Sequence, residues 1–382
     1  MPERMTSKER MLTAMRNQQP DRVPVSPDIS NMIPARLTGK PFWDIYMHDD
    51  PPLWRAYIEA VHYFGFDGWV QYGGSVSYQT RGDQRTFDTR LLSRTDERIT
   101  VETICHTPAG DLTSETVYYV ADPPTVTRKW IKNLVEDMPK LRYFFPEIVG
   151  RDDSVLREQA RLIGQDGIVG PIVGLPGFHD LFGWFDDTLQ GVTYAYYDHY
   201  DLLREFVSWQ EANVLRQAEL LIDLKPEFIM IGASGLWTLS TPAAVRDLTL
   251  PTLQKVTRMA KQAGVPTMLH CCGKERKLAE ILANETDLDC INPLEAAPQG
   301  DCDLAEVKRS LGGRLALFGN IPTTSVMLFG TPDDVERAAR QAIDDAAAGG
   351  GFILSTGDQC GRDTPDANMF KLVEVAKTYG RY

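Results

Sequence analysis

The feature that most constrains the fold is a regular alternation of apolar runs and helical patterns that begins at residue 154. Six apolar runs of strand length occur from there to the C-terminus, and a segment with helical spacing follows each of them. The runs are GIVGPIVG, EFIMIGA, PTMLHCC, LDCINPLE, RLALFGN and GGFILSTG. Strands that alternate with helices in this way pair in parallel, because each helix returns the chain to the same end of the sheet. The pattern therefore predicts an α/β fold with a parallel sheet.

Two earlier strands complete the count for a closed barrel. Residues 7–17 and 52–64 have amphipathic helical spacing, and short strands are expected around Val23 to Val25 and in FDGWVQY. With the six later runs they make eight strands, the number that closes a (β/α)8 TIM barrel. An open doubly wound sheet would alternate similarly, but no Gly-rich dinucleotide fingerprint occurs at a strand-to-helix turn. We predict a single (β/α)8 TIM barrel domain over residues 1–382.

Residues 85–120 depart from this rhythm. They alternate apolar or β-branched residues with polar ones, and TDE and PAGD stand at the expected turns. This pattern predicts three antiparallel strands that form an insertion in the barrel.

Three helix starts are marked by a threonine followed by a proline. Thr241, Thr331 and Thr364 each precede a proline at the start of a predicted helix. A threonine hydroxyl can accept from the free N–H groups of the first turn, and proline at the first helical position loses no hydrogen bond. We therefore expect all three threonines to cap helices.

The charge balance narrows the partners. The chain has 53 acidic and 40 basic residues, a net charge of −13, which argues against binding to nucleic acid or to an anionic membrane surface. The N-terminal segment carries charge throughout, and no stretch approaches the roughly 18–20 apolar residues of a membrane span. We expect a cytoplasmic protein without nucleic-acid or membrane partners.

Polar side chains of metal-ligand type follow the predicted strands. In a barrel the chemistry lies on the loops after the strands. The residues at these positions are Asp28, His270, Cys272, Asn292, Glu295, Asn320, Asp358 and Cys360.

His270, Cys272 and Cys360 form the strongest of these groups. His270 and Cys272 are two apart at a strand end, so they share a face while Cys271 points away. Cys360 ends the last strand run and can reach the same rim, and two thiolates with one imidazole suit a catalytic zinc site with an open position. Spacing alone also fits core cysteines beside a satisfied histidine, and Asp28 and Glu295 would equally serve as capping or salt-bridging acids.

The other cysteines and histidines have simpler interpretations. Six cysteines are too few for a disulfide framework in a chain of 382 residues, so free thiols or metal ligands are expected. Cys105, Cys290 and Cys302 are expected as small buried apolar residues. The remaining histidines belong to no Cys-containing cluster and are expected at the surface or with satisfied hydrogen bonds; they are His48, His62, His106, His179 and His199.

Four segments together resemble a known superfamily. SKERMLTAMRNQQPDRVPV, LHCCGKERKLAEIL, LFGNIPTTSVMLFGTPDDV and FILSTGDQCGRDTPDANM are similar to the uroporphyrinogen decarboxylase superfamily, and more narrowly to its corrinoid-dependent methyltransferases. The resemblance implies a (β/α)8 barrel, a zinc ion on His270, Cys272 and Cys360, and a homodimer. The Arg-rich substrate loop of the true decarboxylases is replaced by SPDISNMIPARLTGK with the single Arg36, which disfavours porphyrinogen decarboxylation.

The resemblance also implies roles for further residues and a partner. Zinc would act as a Lewis acid on the oxygen of a methyl donor or bind an acceptor thiol as the thiolate. Glu295, or less favourably Asp28, would be a fourth ligand that substrate displaces, while Asn320 and Trp237 would contact the corrinoid. The barrel leaves no room for a cobalamin-binding domain, so a separate corrinoid protein is expected to dock on the rim that carries His270.

The aromatic residues provide the basis for predicting the direction of methyl transfer. An aromatic wall suits a methoxylated ring, so transfer from a methoxyaromatic to a Co(I) corrinoid is favoured over transfer to a thiol. A metal-free decarboxylase and a non-catalytic corrinoid-binding subunit stay open as alternatives. The aromatic residues expected near the mouth are Trp43, Tyr46, Trp69, Tyr72, Phe178, Phe182, Trp184, Phe185 and Trp237.

Overall fold

Parallel strands close into a barrel in the computed structural model, which describes residues 4–70 and 76–382. The strands are β1 (Gly68–Val70), β2 (Ser77–Arg81), β3 (Thr86–Arg94), β4 (Arg98–Thr107), β5 (Gly110–Tyr119), β6 (Thr125–Arg128), β7 (Glu147–Asp152), β8 (Gly167–Val169), β9 (Ile172–Gly174), β10 (Ile229–Gly232), β11 (Thr267–His270), β12 (Cys290–Asn292), β13 (Ala316–Ile321) and β14 (Phe352–Thr356). The helices are α1 (Ser7–Met15), α2 (Met32–Leu37), α3 (Phe42–His48), α4 (Leu53–Phe64), α5 (Leu134–Leu141), α6 (Ser154–Ile163), α7 (Phe178–Leu181), α8 (Thr188–Asp198), α9 (Tyr200–Asp223), α10 (Pro242–Ala244), α11 (Leu250–Ala263), α12 (Arg276–Glu285), α13 (Leu304–Leu311), α14 (Pro332–Ala346) and α15 (Asp366–Thr378).

The barrel has eight strand positions, as predicted. Strands β9 to β14 are hydrogen-bonded in chain order, and β1 pairs in parallel with β8. β8 and β9 are the two halves of the GIVGPIVG run, separated at Pro171, which has no N–H to continue the ladder. The barrel closes where Val25 pairs in parallel with Leu354 of β14 and accepts from Asp67 N, 2.9 Å away, just before β1. The (β/α)8 barrel is therefore confirmed.

Two apolar clusters hold the barrel and its additions. The main cluster fills the barrel and the space beneath its helices, and Trp69 packs on Phe318 at 4.7 Å between ring centroids. A second cluster joins α5, α7, α8 and α9 to the insertion through Cys105 and Leu112. The insertion thus has its own apolar contacts beside the barrel.

The insertion is larger than the sequence pattern indicated. β3, β4 and β5 are the three predicted antiparallel strands, and β6 adds a fourth at the edge. β2, which precedes this sheet in the sequence, pairs in antiparallel with β7, which follows it. All four residues of β6 are exposed, so its sequence TVTR carries no apolar alternation that would have revealed it.

Two of the three predicted threonine caps are confirmed. The hydroxyl of Thr241 accepts from Ala244 N, and Thr331 forms a reciprocal capping box with Asp334. The prediction for Thr364 is wrong, because α15 begins at Asp366 and Thr364 lies one residue too early to reach the first-turn N–H groups. Its buried hydroxyl has no hydrogen-bond partner among the described residues.

Over residues 4–70 and 76–382, no helix combines the length and apolar character needed to cross a membrane.

Candidate metal site

His270 is held at the carboxyl end of β11 with one ring nitrogen available. Its side chain is buried, and Nδ1 lies 2.6 Å from Oδ1 of Asn292, its neighbour on β12. The amide nitrogen of Asn292 donates to the carbonyl oxygen of Phe318 at 3.1 Å, so the amide oxygen is the atom that faces His270. Nδ1 must therefore carry the proton, and Nε2 keeps its lone pair for a metal ion or a proton.

Asp28 and Asp358 are brought together by the seam that closes the barrel. The hydroxyl of Thr356, the last residue of β14, accepts from Asp28 N at 2.9 Å and donates to the carbonyl oxygen of Asp358 at 2.8 Å. Cys360 N donates to the carbonyl oxygen of Asp28 at 2.8 Å, which draws Cys360 to the same seam. Asp358 has φ of 94°, an uncommon conformation for a residue with a side chain, and such conformations concentrate at functional sites.

These elements converge on a candidate cation site. The ligand atoms of Asp28, His270 and Asp358 all lie within 4.8 Å of one another, and this is the one such group of histidine, cysteine or acidic residues in the described part of the chain. Nε2 of His270 is 3.7 Å from Oδ1 of Asp358. Asp28 is almost fully buried, whereas Asp358 is one-third exposed, so the group is open on one side.

Cys272 and Cys360 lie beside this group without joining it. Burial, with a smaller contribution from the Asp358 charge, raises the pKa of Cys272 to about 11. Burial also raises the pKa of Cys360, whose thiol contacts Thr356 and feels the charges of Asp28 and Asp358. Both thiols are therefore protonated at neutral pH until a cation or base takes the proton. The zinc set His270, Cys272 and Cys360 stays a prediction.

Two glutamates clamp the loops that follow β11 and β12. Oε2 of Glu275 accepts from Leu294 N at 2.5 Å, and Oε2 of Glu295 accepts from Gly273 N in the opposite direction. Gly273 has φ of 93°, and a Cβ there would lie 2.2 Å from the hydroxyl oxygen of Thr238, so only glycine fits. Each loop thus fixes the other, and the pair positions Cys272 and Glu295.

The clamp predicts different outcomes for two substitutions of Glu275. Burial is the largest cause that raises the pKa of Glu275 well above its ordinary value. Glu275→Gln keeps an oxygen acceptor for Leu294 N and should leave the unfolding free energy nearly unchanged. Glu275→Ala leaves that buried N–H unpaired and should cost about 1–3 kcal/mol of unfolding free energy. Denaturant unfolding of both variants measures this, and equal losses in both would show that the charged carboxylate is required.

Other predicted site residues lie apart from the cation group. Nδ2 of Asn320 donates to the carbonyl oxygen of Leu294 at 2.9 Å, and Trp237 packs partly buried against the main apolar cluster. Their contact with a corrinoid stays a prediction. Glu295 is buried, and burial is the largest cause that raises its pKa. All six cysteines carry free thiols, and Cys105, Cys290 and Cys302 are buried apolar residues as expected.

The expected aromatic wall does not form as a group. Trp69 lies inside the main cluster, Phe178 and Phe185 pack within the second one, and Trp184 is partly buried against the second. In the second cluster, side chains of α5, α8 and α9 pack on Phe178 and Phe185, which are therefore buried and do not face the mouth. Tyr72 lies outside the described residues.

His179 differs from its expected state. Both ring nitrogens are buried and have no hydrogen-bond partner among the described residues, and burial lowers the pKa of His179 to about 4. By contrast, His62 pairs with Asp166 and His106 with Asp88 and Asp111 at the surface, as predicted. His179 lies on the four-residue helix α7, whose burial a lone histidine in the sequence does not indicate.

A (β/α)8 barrel with metal-ligand side chains gathered at the carboxyl ends of its strands is the architecture of a TIM-barrel enzyme. The family model "Uroporphyrinogen decarboxylase (URO-D)" matches residues 187–379, and the chain belongs to this family. The superfamily suggested by the sequence motifs is thereby confirmed.

The chain is similar to two curated relatives and to one solved structure. Methylcobamide:CoM methyltransferase MtbA of Methanosarcina mazei is 25% identical over 385 residues, covering 98% of each chain. A uroporphyrinogen decarboxylase of Ralstonia nicotianae is 25% identical over 267 residues, covering 65% of this chain and 67% of the relative. The structure of a methyltransferase from Methanosarcina mazei superposes with a TM-score of 0.65 at 18% identity, covering 98% of this chain and 99% of that one, and supports the fold. Similarity along the whole chain is thus to a methyltransferase, and similarity to the decarboxylase spans about two-thirds of it.

Proposed function

We propose that this protein is a corrinoid-dependent methyltransferase that moves a methyl group from the corrinoid of a separate protein to a small thiol. The observation that carries the proposal is the buried His270, whose Nε2 faces the carboxylates of Asp28 and Asp358. The thiols of Cys272 and Cys360 lie close enough to feel the charge of Asp358. End-to-end similarity to a methylcobamide:CoM methyltransferase supports this direction of transfer. We further propose that residues 1–382 act as one barrel domain with its antiparallel insertion.

The donor set around His270 fits a zinc ion. An imidazole, two thiols and nearby carboxylates are all zinc ligands, and the orientation of His270 by Asn292 is the support that metal-binding histidines receive. His270, Cys272 and Cys360 would hold the ion, with Glu295 or Asp28 nearby as a displaceable ligand. A bound zinc ion would lower the pKa of an incoming thiol so that it reacts as a thiolate.

The protein's own residues receive the proton that the thiol loses. Glu295 is the stronger candidate, because burial raises its pKa and a carboxylate of raised pKa is a better proton acceptor near neutral pH. Gly273 N occupies Oε2, so Oε1 is the atom available for the proton. Asp28 is the second candidate; its Oδ1 accepts from Ser30 N at 3.0 Å, which leaves Oδ2 for the proton.

The methoxyaromatic donor favoured by the sequence loses its support. That choice rested on an aromatic wall of nine residues. Three of them, Trp69, Phe178 and Phe185, instead pack inside apolar clusters, and Trp184 and Trp237 are partly buried against the same clusters. The full-length relative is named for a thiol acceptor, which favours thiol methylation over O-demethylation.

A direct assay tests the proposal. The purified protein, loaded with zinc, is mixed with methylcobalamin and 2-mercaptoethanesulfonate, and the corrinoid spectrum and free thiol are followed together. We expect demethylation of the corrinoid with loss of one thiol per methyl group transferred. Methyl transfer from 4-methoxybenzoate to Co(I) cobalamin, with no reaction of any thiol, would contradict the proposed direction.

A further inference from the structure

A cleft outside the candidate metal site has the properties of a ligand-binding site. Its wide outer part encloses about 640 Å³ and is lined by Arg142, Phe145, Trp209, Asn213 and Arg216 among others. A narrower inner part of about 130 Å³ shares Phe145 and Asn213 with it and reaches Gly174 at the carboxyl end of β9. The outer volume lies within the range of small-molecule sites. None of the residues of the candidate metal site lines either part.

Aromatic rings form one wall of the cleft. Phe145 lies 6.0 Å from Trp184 and 6.3 Å from Trp209 between ring centroids, and all three side chains line the space. Phe206, buried behind them, packs edge-on against Phe145 at 5.6 Å and holds it in place. Such a wall can stack against a flat apolar ligand.

Gln210 lines the inner end of the cleft and carries a hydrogen-bond acceptor that lacks a donor among the described residues. Gln210 is 5% exposed, and its Nε2 donates to Oδ2 of Asp180 at 2.6 Å. Its Oε1 is buried and has no hydrogen-bond partner among the described residues. Buried polar atoms are nearly always paired, so this oxygen is suited to a ligand that carries an N–H or O–H group.

The outer end presents a guanidinium group that lacks a carboxylate. Nη2 of Arg142 donates to the Tyr143 hydroxyl at 2.8 Å, and Arg142 forms no ion pair with any acid in the described ranges. Arg216 adds a second guanidinium group, already held by the Ile148 carbonyl oxygen at 3.1 Å and by Glu219 at 2.9 Å. The one acid on this rim, Glu147, pairs with Arg81 at 2.5 Å. Planar guanidinium groups recognise carboxylates through paired hydrogen bonds.

We propose that this cleft binds a small aromatic carboxylate that carries an N–H or O–H donor at the end opposite its carboxylate. The carboxylate pairs with Arg142, the ring stacks on Phe145 and Trp209, and the donor reaches Oε1 of Gln210. The site is separate from the methyl-transfer site, so its occupancy does not depend on the proposed function.

Calorimetric titration with 4-aminobenzoate tests the cleft, and benzoate and aniline serve as probes that lack one end. We expect 4-aminobenzoate to bind at least about tenfold more tightly than either, since each end contributes a hydrogen-bonded contact. Arg142→Ala should weaken the binding of 4-aminobenzoate by about tenfold. Arg309 is an exposed arginine on α13 that forms no ion pair within the described ranges, and Arg309→Ala should leave the binding unchanged. Gln210→Leu should make 4-aminobenzoate bind no better than benzoate.

Three results would overturn the proposal. The first is the absence of binding heat for all three probes up to about 1 mM, which excludes a useful affinity. The second is equal binding of 4-aminobenzoate to the Arg142→Ala and Arg309→Ala proteins. The third is loss of binding in His270→Ala, which would place the probe at the candidate metal site. Because Arg142 is exposed, its variant should fold and keeps the test decisive even if Gln210→Leu does not.

Discussion

Under the proposed function, a His270→Ala variant is expected to lose zinc binding and methyl transfer to thiols together. The imidazole supplies the one nitrogen ligand of the proposed set, and Asn292 fixes it so that Nε2 faces Asp28 and Asp358. Removing only the supporting partner of a metal-bound histidine already costs 10- to 100-fold in affinity, so loss of the imidazole should exceed about a hundredfold. The zinc content should fall from about one ion per chain to near zero, and methyl transfer from methylcobalamin to the thiol should no longer be detected.

Matched variants distinguish the metal from a general effect on folding. His62→Ala removes a surface histidine that pairs with Asp166, and it should keep both zinc and activity. Zinc retained at full occupancy in His270→Ala would contradict the site. Activity lost with zinc retained would assign His270 a role other than metal binding.

The same measurement decides which side chains complete the site. If the sulfur set holds the ion, Cys360→Ser loses zinc and Asp358→Asn keeps it. If the oxygen group of Asp28, His270 and Asp358 holds it, the outcomes are reversed. Cobalt substituted for zinc gives a second measure, since intense sulfur-to-metal charge-transfer bands appear only when thiolates are ligands.

The barrel was predictable because its strands are buried on both faces. RLALFGN became β13 and GGFILSTG became β14, and every residue of β14 is buried. The additions outside the barrel carry weaker patterns. α5 contains Pro139, α7 has four residues and β6 is wholly exposed, so none of them has the periodicity that sequence interpretation requires.

The candidate site was predictable at the level of strand ends and not at the level of contacts. Strand parity predicted that Cys271 points away from the face shared by His270 and Cys272; in the structure Cys271 is buried and Cys272 is half-buried. The approach of Asp28 to Asp358 depends on the Thr356 hydroxyl and on the left-handed backbone of Asp358, neither of which a spacing rule contains. The Glu275 clamp and the buried His179 were missed for the same reason, because isolated polar residues in a sequence do not reveal their burial.

Asp67→Ala is expected to produce the largest loss of stability. Asp67 is fully buried just before β1 and accepts from Arg10 at 2.6 Å and from Arg22 at 2.7 Å and 3.1 Å. It also accepts from Val25 N at 2.8 Å, which joins α1, the Val25 strand and β1 at the seam of the barrel. Removing the Asp67 carboxylate takes away the acid that Arg10 and Arg22 share, while Arg10 keeps its ion pair with Asp21 at 2.8 Å. Loss of one partner from a buried ionic network is expected to cost about 3–5 kcal/mol of unfolding free energy. Urea unfolding followed by circular dichroism should show a marked drop in the midpoint.

Two comparisons separate the buried network from the removal of a charge. Asp96→Ala deletes an exposed aspartate in the turn after β3 and should change the unfolding free energy by less than about 0.5 kcal/mol. Asp67→Asn keeps an oxygen acceptor for Val25 N but places a neutral amide between Arg10 and Arg22. If hydrogen bonding accounts for part of the effect, the unfolding free energy of Asp67→Asn should lie between those of the two alanine variants. Asp67→Ala as stable as Asp96→Ala would mean that the two arginines are satisfied elsewhere. In that case the barrel seam would depend on the Val25–Leu354 pairing and its apolar packing instead of on this carboxylate.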